Sequence, residues 1–289
     1  MMRFSIKQLE RFSNIKAHTI RTWEKRFRLF EPDRLKGNVR TYSLDDVTRL
    51  LDICLLNEYG YKISKLHSFS GEEIAMHIAA LKSDRARQLH AINKLLKCML
   101  TNDTEEYEAE LDKCMLAWGI DSTINYVIMP FMEKAHLLSY KISTVQAHFT
   151  ATALRRKLIL GIEKSKLPAH NAKTALLFLP EHEHYDLVLL YMHYMLKNNG
   201  LKIMYLGTNI SIDNLRQAVT EQRPDYLYSY IADKHNFPAK AYAAMQDVMQ
   251  PGMLLYIAYG EDKPEGVTNG IHLFRHTDIQ QNMPHPSEG

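Results

Sequence analysis

Cysteine is scarce in this chain. Cys54, Cys98 and Cys114 are the three among 289 residues, and no two of them form a CxxC pair. All three sit inside helical patterns, so they read as small apolar residues and leave no framework for a disulfide or a thiolate metal site. No apolar run approaches the ~20 residues needed to cross a bilayer, and the first residues lack the apolar core of a signal peptide. The expectation is a cytoplasmic protein with no membrane segment. A GxGxxG is missing after the first strand-like segment of the C-terminal half, which argues against a dinucleotide site. An excess of one charge is missing too, since 36 Lys and Arg face 33 Asp and Glu.

That balance hides a local concentration. Residues 1–42 carry eleven of the basic residues against Glu10, Glu24, Glu31 and Asp33, which leaves the remainder mildly acidic. Positive charge gathered at one end is an electrostatic footprint for phosphate. Spacing sharpens it. Ile6, Leu9 and Phe12 recur at helical intervals, Ser13-Asn14 interrupts, and Ile20, Trp23 and Phe27 form a second stripe. Two such short helices must bury their stripes on each other. The second then presents His18, Thr19, Arg21, Thr22, Lys25 and Arg26, with Lys16 just ahead, and the chain runs on through a basic loop with Arg34 and Lys36 to Arg40-Thr41-Tyr42. This is the layout of a winged helix-turn-helix, in which Arg and Lys meet guanine edges and phosphates in a major groove.

The same residues carry a family resemblance. Thr19-Ile20-Arg21-x-Trp23-Glu24-x-Arg26-Phe27, Leu29-x-x-Pro32-x-Arg34 and Val39-Arg40-x-Tyr42-Ser43-x-x-Asp46 resemble the DNA-binding domain of the mercury-resistance-regulator (MerR) family. The likeness runs through the helix Leu44 to Tyr59 and the Gly60-Tyr61-x-Ile63 signature. It implies that Arg21 and Trp23 clamp the DNA backbone, that Arg40 and Tyr42 grip flanking phosphates, and that the protein binds an inverted-repeat operator as a homo-oligomer.

A chain of this length suggests two or three domains. From Ser70 to Ser165, Leu, Ala, Met, Lys and Glu predominate, with capping breaks near 82–84, 101–104, 119–122 and 141–143. Four principal helices are expected, at 84–100, 104–117, 121–138 and 143–164, preceded by a shorter one: a helical bundle. Beyond a polar linker at 166–171, strands at 174–179, 201–206, 226–231, 253–258 and 272–274 alternate with helices at 185–199, 210–222 and 240–249. Continuous apolar strands between helices indicate a doubly wound, Rossmann-like parallel α/β domain, whose ligands sit at the carboxyl ends of the strands. The expected division is 1–70 for the winged helix-turn-helix, 71–165 for the bundle, 172–278 for the α/β domain and 279–289 for a flexible tail.

After the first of those strands comes Glu181-His182-Glu183-His184-Tyr185-Asp186. Histidine at a strand end can ligate a metal with a carboxylate orienting its ring. One reading is a metal-dependent enzyme using His182, His184 and Asp186, although Leu187 stands where binuclear hydrolases continue with histidine, and His193, His235, His272 and His276 lack supporting acidic spacing. The other comes from domain order. A MerR-like head, a bundle and an α/β domain with histidine after its first strand resemble the light-sensing, cobalamin-dependent repressors. That group carries Trp, nine residues, then Glu-His in the bundle, and acid-x-His-x-x-Gly, Ser-x-Leu and Gly-Gly in the α/β domain.

Against this pattern His148 is kept, with Ala147 for the Glu and Leu137 for the Trp. His184 is kept, and the resemblance implies it as the lower cobalt ligand of adenosylcobalamin, while His182 replaces the acid and Leu187 the glycine. Ser229-Tyr230-Ile231 preserves the serine and Tyr259-Gly260 one glycine of the pair. The implied cofactor residues are therefore His184, His148, Ser229 and Gly260, in an eroded motif that assigns no cofactor firmly. The overall expectation is a non-enzymatic, sequence-specific transcriptional regulator, a repressor, whose C-terminal half senses a small-molecule ligand or a protein antirepressor.

Overall fold

The computed structural model describes residues 3–35, 39–138, 142–232, 239–260, 262–264, 267 and 270–282. They form two compact units, Met1–Ala153 and Leu154–Gly289. Among the described residues no helix is long and apolar enough to cross a membrane.

The first unit opens with α1 (Ile6–Ser13), whose Ser5 and Gln8 form a reciprocal capping box, and which ends at Asn14 in the left-handed region. A short turn leads to α2 (Ala17–Phe27), and strands β1 (Asp33–Leu35) and β2 (Val39–Thr41) pair antiparallel as the wing. Leu9 and Ile20 are fully buried, as the two apolar stripes require. Helix α3 (Leu44–Glu58) starts on a Ser43–Asp46 capping box, and α4 (Ile63–Leu66) and α5 (Gly71–Ala80) follow.

The bundle then consists of α6 (Asp84–Thr101), α7 (Thr104–Thr123), a π turn (Ile124–Ile128), α8 (Met129–His136) and α9 (Thr144–Lys164). The expected pair 104–117 and 121–138 is broken differently. Gly119 leaves helical geometry inside α7, at φ 76 and ψ 172, so the chain jogs there without a loop. The π turn precedes Pro130, which has no N–H to give and whose ring would strike the carbonyl four residues back; widening the turn relieves both.

Side chains of the head and of the bundle are tied to each other within the first unit. Asp52 on α3 accepts from His90 Nδ1 at 3.0 Å and from Asn93 Nδ2 at 2.8 Å, both on α6, and Lys134 Nζ of α8 donates to Asn93 Oδ1 at 3.4 Å. Lys97 of α6 pairs with Asp45 of α3 at 2.7 Å. The compact unit therefore spans the expected first domain and most of the second. The cysteines are as expected, with Cys98 and Cys114 buried and Cys54 half-buried. Burial pushes their thiols up, to about 11 for Cys98 and about 12 for Cys54 and Cys114, so they stay protonated.

Helix α9 crosses the boundary between units, and its second half belongs to the C-terminal one. There β3 (Thr174–Pro180), β4 (Lys202–Ile210), β5 (Tyr226–Ile231), β6 (Leu254–Tyr259) and β7 (Ile271–Arg275) form an all-parallel sheet in the order β4-β3-β5-β6-β7. Helices α10 (Asp186–Asn198), α11 (Ile212–Gln222) and α12 (Ala239–Val248) connect the strands. Strand β4 runs past its expected end because Gly207, at φ 91, absorbs a register shift against β3. The core joins Leu176, Leu227 and Leu255 of the sheet to Val219, Tyr242 and Met245 of α11 and α12. The order reverses direction between β3 and β5, which makes their carboxyl ends the switch point of the sheet.

The flexible tail expected from 279 is corrected for its first residues. His276–Asn282 form a 3-10 helix in which Ile279 is buried and Gln280 Nε2 donates to Tyr191 at 2.9 Å. Residues 283–289 lie outside the described residues, as do His235 and Lys36.

The Asp52 contact gives a pH signature. Burial works against the charged form of His90, but the hydrogen bond and charge of Asp52 outweigh it, with Glu110 adding and Lys94 opposing, and hold its pKa above the usual 6.5. A raised pKa contributes stability that is complete below the unfolded value and is lost as pH rises through the folded one. Asp52→Asn is therefore expected to lower the melting temperature more at about pH 6 than at about pH 8. Differential scanning fluorimetry across that range checks it; a gap between the two proteins that widens with pH would refute the assignment.

Candidate functional site

On α2 the side chains of His18, Arg21, Thr22, Lys25 and Arg26 are exposed along one face, at intervals of three and four residues, with exposed Lys16 at its head. Thr19 and Trp23 are half-buried beside them. Thr22 donates back to the carbonyl of His18 at 2.9 Å, and the Arg26 guanidinium lies 5.4 Å from the centre of the Phe27 ring. Lys16 reaches Glu10 only at 3.9 Å and is itself open to solvent, so little holds it from another anion. The face is cationic and exposed.

The wing corrects one expected contact. Tyr42 is fully buried. Its hydroxyl donates to Glu24 Oε2 at 3.0 Å and its ring meets Phe30 edge-on at 6.1 Å, so it cannot touch phosphate. Burial, then the Glu24 bond, raises its pKa well above the ordinary 10, and it stays a neutral donor. Arg40 Nε donates to Glu24 Oε1 at 2.9 Å, which raises its pKa, and its side chain remains a quarter exposed. Arg34 is exposed on β1. Glu24, itself almost buried, is thus the residue that sequence reading passes over. One carboxylate of α2 takes both functional groups of β2's end and fixes the wing against the recognition helix. Its sequence signal is Trp23-Glu24-x-Arg26, where an acid stands among cations.

The second candidate lies after β3. His182 has φ 71, and its N–H donates to Asn209 Oδ1 at 3.1 Å, pinning the loop to the end of β4. His184 is exposed, and Asp186 gives both carboxylate oxygens to Arg155 of α9, each at 2.7 Å. The metal reading is thereby corrected. Asp186 is committed to a bidentate guanidinium pair, and the described residues hold no group of His, Cys, Asp or Glu placed for a metal. His193 stacks on Tyr205, His272 on Tyr256, and His276 Nδ1 bonds the Tyr259 carbonyl.

The cobalamin motif fares no better. Among the described residues no carboxylate orients the His184 ring, as a ligand histidine needs. Moving the motif by one residue keeps an acid, Glu183, which is buried, but then Tyr185 takes the place of the histidine and buried Val188 that of the glycine. Ser229 is fully enclosed on β5, on the same face as core residues Leu227 and Ile231, and its hydroxyl has no hydrogen-bond partner among the described residues. Gly260 has a reason of its own: a Cβ there would stand 2.6 Å from the Ala232 carbonyl oxygen. His148 is exposed on α9 in the first unit. In neither register do the residues of this loop fit a histidine-ligated corrin.

Comparison with known proteins agrees with the head. Residues 4–69 match the family model described as MerR HTH family regulatory protein, and that segment is a MerR-type helix-turn-helix domain. The chain is 23% identical over 229 residues to the HTH-type transcriptional repressor CarA of Myxococcus xanthus, covering 78% of this chain and 75% of that one. It is 24% identical over 223 residues to the HTH-type transcriptional repressor CarH of the same organism, covering 74% of each. Among solved structures it is similar to the monomethylamine corrinoid protein of Methanosarcina barkeri, with a TM-score of 0.49, 14% identity and coverage of 65% of this chain and 94% of that one. It is also similar to the methanol:cobalamin methyltransferase complex MtaBC of the same organism, with a TM-score of 0.36, 16% identity and coverage of 78% and 86%.

Because Tyr42 acts through Glu24, Tyr42→Phe should destabilise the fold by about 1–2 kcal/mol, leaving one buried carboxylate oxygen without its donor. Urea unfolding would measure that loss. An unchanged midpoint would mean that the phenol contributes nothing to the wing.

Proposed function

We propose that this chain is a sequence-specific regulator of transcription, of the repressor kind, that binds double-stranded DNA through α2 and its wing and works in the cytoplasm. The observation that carries the reading is the cationic face His18, Arg21, Thr22, Lys25 and Arg26, held at a fixed angle to the wing by Glu24. Arg side chains on such a face reach guanine edges, while Arg34 and Arg40 on the wing meet phosphates to either side. The similarity to two HTH-type transcriptional repressors over about three quarters of the chain supports it. A two-fold oligomer on an inverted repeat is the matching assembly. The C-terminal half then senses a small molecule or a protein antirepressor.

A gel shift with the DNA upstream of the chain's own gene, titrated against salt, tests this. Arg21→Ala should weaken binding and reduce the slope of log affinity against log salt by about one, if Arg21 neutralises a phosphate, or relax sequence preference by about 1–3 kcal/mol, if it reads a base. Binding indifferent to Arg21→Ala and Arg26→Ala together would sink the reading.

A corrin held by His184 is the second reading, favoured by the exposure of that imidazole beyond the carboxyl end of β3, at the switch point. The surrounding residues do not fit it. Full-length protein mixed with adenosylcobalamin and passed through gel filtration should therefore keep no corrin absorbance. A retained stoichiometric band whose spectrum changes in His184→Ala would restore the corrin.

A further inference from the structure

The break at Gly119 does more than bend a helix. Between the start of α6, the end of α7 and the π turn it opens a groove of about 760 Å³. Trp118 precedes the break, Ser122 and Tyr126 follow it, and all three line the groove. Trp118 Nε1 donates to Asp84 Oδ1 at 3.1 Å, which holds the indole in place at the first turn of α6. A volume of this order lies within the range of small-molecule sites, roughly 300–1,000 Å³. The apolar lining comes from Leu89 and Ile92 of α6 and Pro130 of α8.

Two polar side chains in the lining lack partners. Gln88 is 9% exposed, and its amide enters no hydrogen bond among the described residues. Its amide is not one of the enclosed polar atoms of the described residues, so it meets the solvent of the groove and is available to a polar group of a bound molecule. Arg85 has no ion pair among the described residues, although its neighbour Arg87 is bound to Asp84 at 2.7 Å. Asp84, also in the lining, is engaged by Arg87 and Trp118, which leaves Arg85 as the lining cation without an ion pair among the described residues.

We propose that this groove binds a small aromatic carboxylate. Its ring would lie on the indole of Trp118 and the phenol of Tyr126, its polar substituent would meet the Gln88 amide, and its carboxylate would face the Arg85 guanidinium. The site lies wholly within the first unit and shares no residue with the DNA-facing helix or with the loop after β3. It therefore stands or falls apart from the DNA reading, and it is measured on the free protein.

Biphenyl-4-carboxylate is a suitable probe, with 4-phenylbenzyl alcohol as its neutral counterpart, both titrated calorimetrically into the full chain. The carboxylate should bind saturably at one site per chain. It should also change the emission of Trp118 in a Trp23→Phe protein, where Trp118 is the remaining tryptophan. Arg85→Ala, an exposed substitution that leaves the fold in place, should weaken the carboxylate about tenfold or more while leaving the alcohol within about twofold. Gln88→Leu should weaken both. No saturable binding up to about millimolar concentration, a carboxylate affinity indifferent to Arg85→Ala, or an unresponsive Trp118 would each overturn the proposal.

Discussion

The Asp52 carboxylate is the point on which the first unit turns. It leaves α3 of the head and takes two donors from α6 of the bundle, with the Lys134 amine behind them. Burial presses down the pKa of Lys134 while Asp52 and Glu58 sustain it, so the cluster is a set of mutually dependent charges rather than a surface ion pair. Removing one partner leaves the others buried without compensation. The head is thereby fastened to the helices behind it, and α2 is carried at a fixed angle to the bundle. A second carboxylate, Glu24, repeats the arrangement on a smaller scale by joining recognition helix and wing.

The winged helix-turn-helix was legible because its signals are local. Capping residues, a three- and four-residue apolar rhythm and a run of cations can all be read without knowing what lies across the fold. Tyr42 shows where that reading stops. On paper a tyrosine at the end of a basic loop looks like a phosphate contact, and only the packing of Phe30 and the reach of Glu24 turn it inward. The same limit explains the bundle. Capping residues near 119–122 mark a break, but whether the chain turns a corner or jogs within one helix depends on the backbone angles of Gly119 and on Pro130.

In the α/β unit the strands were read within a few residues, since continuous apolar runs leave few alternatives. The loop after β3 was not. Its histidines attract notice as chemistry, yet the structure engages the neighbours they would need: Asp186 with Arg155, and the His182 amide with Asn209. The Arg155 pair is made between residues thirty-one apart, and no motif contains both. The tail was misjudged for a related reason, because the single apolar residue Ile279 suffices to anchor a turn when a hydrophobic recess receives it.

Gly260 bears on how sequence fingerprints are weighed. Its lack of a side chain is explained by the backbone just past β5, which comes so near that even a methyl group would collide with the Ala232 carbonyl oxygen. Selection for folding alone would preserve this glycine long after any bound molecule had gone. A fingerprint therefore mixes positions that decay when a ligand is abandoned with positions that cannot. A position such as Gly260 thus speaks for the architecture and is silent on what the domain binds.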